Sequence, residues 1–211
     1  MTIPTFVAFI ADAVDSRALP AAARARLQHD LRGALPALNR RWRAALAARF
    51  AVTLGDELQC LLTTAAPLWE IAHTLQARFE VVDWVVACGR GPVTTTLRPG
   101  ITAPEVDGPC FHDARGALED AKQRRQLLAF RGFGAADATL TGLASYYSAL
   151  HWGWTPRQRR TAKWLRANDP ARAAKELGVQ RSAISHLARR MAWPLVTAGD
   201  TILRTLLDHA S

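Results

Sequence analysis

Cysteine, methionine and tyrosine are scarce in this chain: its 211 residues hold three cysteines, two methionines and two tyrosines. Cys60, Cys88 and Cys110 stand far apart with no Cys-x-x-Cys pair. That spacing excludes a disulfide framework and argues against a zinc or dithiol site, so the three read as small buried hydrophobes. Long apolar runs are missing as well. No stretch of about 18 uninterrupted apolar residues occurs, and no membrane partner is expected. Met1-Thr2-Ile3-Pro4 has neither the basic start nor the cleavage site of a secretory leader, which predicts a cytoplasmic chain. His29, His73, His112, His151 and His209 have no metal-ligand spacing and read as surface or interhelical residues. There is no internal repeat and no low-complexity tract.

Acidic residues are also in short supply, and the deficit is local. The formal charge is +9, with 49% of residues hydrophobic, enough for a real core. Before residue 155 there are 16 Lys and Arg against 14 Asp and Glu, whereas residues 155–193 carry 10 against 2. Basicity confined to under a fifth of the chain points to a polyanion bound there, nucleic acid first.

The hydrophobic pattern predicts a buried strand over residues 5–11 ending at Asp12, then a polar loop. Residues 21–48 have helical spacing, with Pro36 breaking or kinking the helix. Two strand-like runs around Gly55-Asp56 form a hairpin over residues 50–62. A helix over 66–79 and a strand over 81–88 follow, the strand broken by the Gly89–Pro92 stretch. Residues 94–97 are a further candidate strand, and 111–125 a helix. This alternation predicts an α+β fold: a ferredoxin-like or palm-like sheet domain over 1–130, then a connecting helix over 131–154. A small all-α domain over 155–211 completes the expected organisation.

Residues 155–194 read as three short helices of a helix-turn-helix. Thr155 caps the first and Pro156 opens it, where a missing N–H costs nothing. Asn168-Asp169-Pro170 repeats the device for the second, and Gly178 allows the sharp turn before the third. In the third helix Ile184 and Leu187 face inward, leaving Arg181, Ser182, Ser185, His186, Arg189 and Arg190 outward. Such a face enters the major groove of double-stranded DNA, Arg181, Ser182 and Ser185 toward base edges and Arg189 and Arg190 toward phosphates. Arg157, Arg159, Arg160, Lys163 and Arg172 are candidates for backbone contacts. The run from Ala173 to Leu187 resembles the core of bacterial helix-turn-helix regulators. Trp152, Trp154, Trp164 and Trp193 read as packing around this small domain.

The segments Ile10-Ala-Asp12-Ala-Val-Asp15-Ser16-Arg17, Thr53-Leu-Gly55-Asp56-Glu57-Leu-Gln59, Asp107-Gly108-Pro109 and Ala114-Arg115 together resemble the SatD family, over about residues 7–118. The resemblance implies a cyclase-like domain, since an Asp ending the first strand and a Gly-Asp hairpin turn look like the palm of class III nucleotidyl cyclases and GGDEF proteins. It implies Asp12 and Asp56 as ligands of Mg²⁺, which takes one or two protein carboxylates and completes its octahedron with phosphate and water. Asp15 is the alternative ligand, and Ser16 and Arg17 are candidates for nucleotide phosphate. Arg115 falls where cyclases carry a catalytic arginine, while Phe111 stands where they carry an asparagine. The bland alternative is a hairpin whose aspartates cap turns and whose Glu57 is solvated.

Two functions follow. One is a homodimeric transcription regulator whose sheet domain senses a purine nucleotide or Mg²⁺; the other is an Mg²⁺-dependent nucleotidyl cyclase or related enzyme. With no recognisable purine-selecting Lys/Asp pair, the sequence favours the regulator.

Overall fold

The computed structural model describes residues 3–53, 55–79, 81–167 and 170–210. Its organising strand is β1 (Phe6–Ala13), apolar on both faces. Successive side chains of a strand point to opposite faces: Val7, Phe9 and Ala11 enter one core cluster, Ala8 and Ile10 another. A strand covered on both sides belongs at the centre of a sheet. The order is β2-β3-β1-β4-β5, with β2 Leu46–Val52, β3 Glu57–Leu62, β4 Trp84–Gly91 and β5 Leu128–Arg131. β1 runs antiparallel to β3 and β4, and β5 lies parallel to β4. With α1 (Ala21–Arg41) after β1 and α2 (Leu68–Arg78) after β3, the first four strands form the expected βαββαβ unit.

One face is covered by α1 and α2 through Leu27, Leu31, Leu38, Ile71 and Leu75. The other is covered by α3 (Pro109–Gln123) through Cys110, Phe111, Ala114 and Leu118. Here the helix passes so near β4 that a Cβ on Gly89 would lie 2.1 Å from the Cys110 carbonyl oxygen. The Gly89–Pro92 stretch therefore does not end the strand where expected: β4 continues to Gly91, and a missing side chain is what lets helix and strand touch. All three cysteines are free and buried, as read from their spacing.

Three expectations need correction. The helix predicted to residue 48 stops at Arg41, although it does run through Pro36. Residues from Leu46 onward pair with β3, and Phe50 packs against Phe9 and Trp42; long-range pairing overrides the helix propensity of an Ala- and Arg-rich run. Residues 94–97 form a loop, not a strand, with the Thr94 and Thr95 N–H groups donating to the Asp107 carbonyl. β5 was not anticipated, because four residues are too few to display a period; it is brought beside β4 by the α3 crossover.

The remaining helices fold back onto the sheet unit. From α4 (Asp137–Gly153) and α8 (Trp193–His209), Leu140, Ala144, Tyr147, Leu203 and Leu207 join the same core as α1 and α2. Between them run α5 (Pro156–Ala167), α6 (Pro170–Glu176) and α7 (Arg181–Arg190). At the start of α5, the Gln158 N–H donates to the Thr155 hydroxyl (3.3 Å), and the Gln158 side chain accepts from the Thr155 N–H (2.8 Å), a reciprocal cap. Gly178, at φ +64°, makes the turn into α7. The predicted stop at Asn168 and Asp169 lies outside the described residues.

Asp83, just before β4, fastens this helical part to the sheet. Its carboxylate meets His151 Nε2 at 3.1 Å, Arg159 Nη1 at 3.4 Å and Lys163 Nζ at 3.6 Å. Burial alone would raise its pKa, but the hydrogen bond and charge of His151, then Lys163 and Arg159, hold it below the usual carboxylate range. Lys163 is buried and also donates to the Val82 carbonyl at 3.2 Å. Among the described residues no helix is long and apolar enough to cross a membrane.

Candidate functional site

β1 ends, and the β2–β3 hairpin turns, at the same edge of the sheet. In the β1–β3 ladder Asp12 stands directly opposite Glu57. Around them the 13–18 loop, the hairpin, α3, the turn after α3 and Trp152 of α4 line a cleft of about 890 Å³. Asp12, Asp15, Ser16, Arg17, Asp56 and Arg115, all predicted site residues, lie on its wall. The fold therefore brings these six predicted residues to one cleft.

Their partners differ from those expected. Ser16 is buried and its hydroxyl donates to Asp56, so it ties the loop to the hairpin instead of facing a phosphate. Arg17 and Asp15 are exposed on the rim. Arg115 grips Glu57 in a two-pronged ion pair, Nη1 to Oε2 at 2.5 Å and Nη2 to Oε1 at 2.9 Å. Glu57 is only 2% exposed, which corrects the picture of a solvated hairpin glutamate. Thr53 and Gln59 also donate to its Oε1, at 2.6 and 2.7 Å. Burial would raise the Glu57 pKa, but Arg115, Thr53 and Gln59 outweigh it and hold the value at about 2. A guanidinium has five N–H donors in a rigid fork, so Arg115 keeps donors to spare while Glu57 fixes its orientation.

Asp12 is in the opposite condition. Burial raises its pKa; a Lys122 salt bridge at 2.8 Å pulls it down, and the charges of Asp56 and Glu57 push it up again. The fold leaves this carboxylate incompletely compensated, and a divalent cation relieves that kind of imbalance. Among the described residues no cluster of three or more His, Cys, Asp or Glu could cage a metal. A cation at Asp12 and Asp56 would have two protein carboxylates, with phosphate and water supplying the rest, which suits Mg²⁺ and not zinc. Two carboxylates on one cleft wall are donors of the type Mg²⁺ takes.

Glu57, Lys122, Arg125, Gln126 and Trp152 were missed as cleft residues. For Lys122 a signal existed: it stands seven residues after Arg115, hence on the same face of α3. For Trp152 there was none, because only the packing of α4 brings it to the cleft.

A second surface lies on α7. Ile184 is 2% exposed and anchors the helix, while Arg181, Ser182, Ser185, His186, Arg189 and Arg190 are exposed. Arg157, Arg160 and Arg172 are exposed too. Lys163 is not available to DNA phosphates as predicted, since it is buried against Asp83 and the Val82 carbonyl, and Arg159 is likewise turned toward Asp83.

No curated protein matches the chain. Among solved structures, a bacterial light-regulated adenylyl cyclase aligns with a TM-score of 0.44 at 11% identity, over 62% of this chain and 77% of that one. A second structure of a bacterial light-regulated adenylyl cyclase gives 0.43 at 13%, over 61% of this chain and 43% of the other. The dimeric guanylyl cyclase domain of the RhoGC fusion protein from the aquatic fungus Blastocladiella emersonii gives 0.37 at 13%, over 56% and 74%. The family model described as the SatD family matches residues 6–129. That segment is more than half of the sequence and carries Asp12, Asp56, Glu57, Arg115 and Lys122: the chain belongs to the SatD family.

Proposed function

We propose that the sheet-edge cleft binds a nucleoside triphosphate together with Mg²⁺, and that the protein is a nucleotide-binding, cyclase-like member of its family. One observation carries this reading: two carboxylates, Asp12 and Asp56, share a cleft with the cationic side chains of Arg17, Arg115 and Lys122. A site for an organic anion alone would not gather carboxylates, and a site for a metal alone would not ring them with cations. Both signs together suit a metal–polyphosphate, with carboxylates for the cation and guanidinium or ammonium groups for the phosphate oxygens. Arg115, held by Glu57, is oriented to stabilise charge developing on a phosphate. Displacement at phosphorus is the reaction such a site favours, and it depends chiefly on positioning and electrostatics. With Phe111 at the asparagine position of cyclases, turnover to a cyclic product is expected to be slow.

The test is isothermal titration with ATP and GTP, each with Mg²⁺ and with EDTA, followed by analysis of the mixtures for cyclic product. Binding that requires Mg²⁺ and is lost in Asp56→Ala supports the proposal. Absence of binding by both nucleotides in the presence of Mg²⁺ overturns it.

A second reading, DNA binding by residues 155–194, is favoured by the exposure of all six outward residues of α7 around the buried Ile184. In this reading Arg181, Ser182, Ser185 and His186 meet base edges, and Arg189, Arg190, Arg157 and Arg160 meet phosphates. A homodimer would offer two such helices to half-sites one helical turn apart. Retention of a labelled duplex in dilute buffer, weakening steeply with salt, is the expected result.

A further inference from the structure

The cleft extends past the carboxylates and cations of its proposed phosphate end. Beyond Lys122 it is walled by Arg125 and Gln126, in the turn that ends α3, and by Trp152 of α4; from Arg115 to the end of α3 at Gln123 is roughly 12 Å at the helical rise. Arg125 and Trp152 are locked together. The Trp152 indole N–H donates to the Arg125 carbonyl at 2.6 Å, and the ring carries two guanidinium groups, Arg125 from the cleft wall at 5.3 Å from its centroid and Arg159 at 5.5 Å. Arg125 itself has φ +54°, a conformation uncommon outside glycine, and it turns the chain at this point. The amide nitrogen of Gln126 donates to Ser145 at 2.6 Å, leaving its carbonyl oxygen as an acceptor. The phosphate end of the cleft is built of carboxylates, the Arg17 and Arg115 guanidinium groups and the Lys122 ammonium, with no aromatic ring among them. This end offers a flat indole, a flat guanidinium and an amide.

We infer that Arg125, Gln126 and Trp152 form the base subsite of the nucleotide, where a purine ring stacks on the Arg125 guanidinium that Trp152 backs; this rests on the proposed nucleotide binding at the other end. Nucleobases stack on aromatic rings and guanidinium planes whatever their edge pattern, and a bicyclic purine covers more of such a surface than a pyrimidine. The cleft volume of about 890 Å³ falls within the range of small-molecule sites. The subsite is held by backbone and side-chain hydrogen bonds before any ligand arrives, so little ordering is left for binding to supply.

The experiment compares Mg²⁺–GTP, Mg²⁺–ATP, Mg²⁺–UTP and Mg²⁺–tripolyphosphate by titration on the full chain, on Trp152→Ala and on Trp152→Phe, with circular dichroism to confirm folding. The wild type should bind the purine nucleotides about tenfold more tightly than tripolyphosphate, with UTP between. Trp152→Ala should erase that advantage and leave tripolyphosphate affinity unchanged, while Trp152→Phe keeps most of it. Equal affinity for GTP, ATP and tripolyphosphate in the wild type overturns the base subsite while the phosphate site stands. So does an unchanged purine advantage in a folded Trp152→Ala. If neither tripolyphosphate nor any nucleotide binds, the nucleotide reading falls and this subsite with it. Should Trp152→Ala fail to fold, Trp152→Phe and Arg125→Ala decide the matter, loss of the purine advantage in Arg125→Ala being the supporting result and its persistence in both the contrary one.

Discussion

The sheet-edge cleft and the outer face of α7 are both rich in cationic side chains, yet their charges are arranged differently. In the cleft Arg115 is matched to Glu57 and Lys122 to Asp12. On α7, among the described residues, Arg181 and Arg190 have no carboxylate within ion-pair distance, and Arg189 meets only His186, at 3.1 Å. Matched charges are oriented, and oriented groups discriminate among small ligands. Unmatched, mobile cations attract any polyanion, and the attraction weakens steeply with salt. The pairing of charges, more than their number, distinguishes the cleft proposed for a metal-bound nucleotide from the α7 face proposed for a phosphate backbone.

Asp83 ties α4 and α5 to the sheet, and changing it should have the largest effect. Asp83→Asn removes the carboxylate that His151, Arg159 and Lys163 share, and urea denaturation should register a loss of about 3–5 kcal/mol. A loss below about 1 kcal/mol would mean that the helical part is not held through this residue.

Glu57 comes next. Its carboxyl titrates near 2 in the fold against 4.5 ordinarily, so it releases its proton more readily folded than unfolded. Its contribution, about 3 kcal/mol, is fully present above pH 4.5 and disappears as pH falls toward 2. Unfolding curves of wild type and Glu57→Gln should differ by that amount at pH 7 and converge across this window. A difference that does not change with pH would show that Arg115 is not held by an ionised Glu57.

Within the cleft, Asp56→Ala should leave the fold intact and weaken Mg²⁺–nucleotide binding about a hundredfold, close to 3 kcal/mol. On α7 the effects are smaller. Arg181→Ala is expected to reduce affinity for a preferred duplex by about 1–3 kcal/mol, and Arg190→Ala to lower affinity for every duplex and flatten the salt slope by about one. Identical losses on all sequences from both changes would remove the distinction between a base-facing and a phosphate-facing residue.

Much of the sheet was legible from local pattern. β1 declared itself by an apolar run, the hairpin by Gly55-Asp56, and α7 by Ile184 at the centre of a polar helix. What escaped was decided by distant contacts: β2 took residues that look helical because β3 offered partners, and β5 gave too few residues to register. In the cleft, the motif residues Asp12, Asp56 and Arg115 were readable because they sit at strand ends, turns and a helix face. The burial of Glu57 was not, because a glutamate in a polar turn looks solvated until Arg115 arrives from 58 residues away. Trp152 looked like packing for a small helical domain; the return of α4 and α8 to the sheet core carries it to the far end of the cleft.

The central claim is that Asp12 and Asp56 hold a divalent cation carrying a nucleotide, and a crystal grown with Mn²⁺ and a non-hydrolysable purine triphosphate addresses it most directly. The account predicts an anomalous peak bridging those two carboxylates, with phosphates beside Arg17, Arg115 and Lys122. A nucleotide bound elsewhere, or a cleft in which Lys122 alone still neutralises Asp12 at saturating nucleotide and metal, would contradict it.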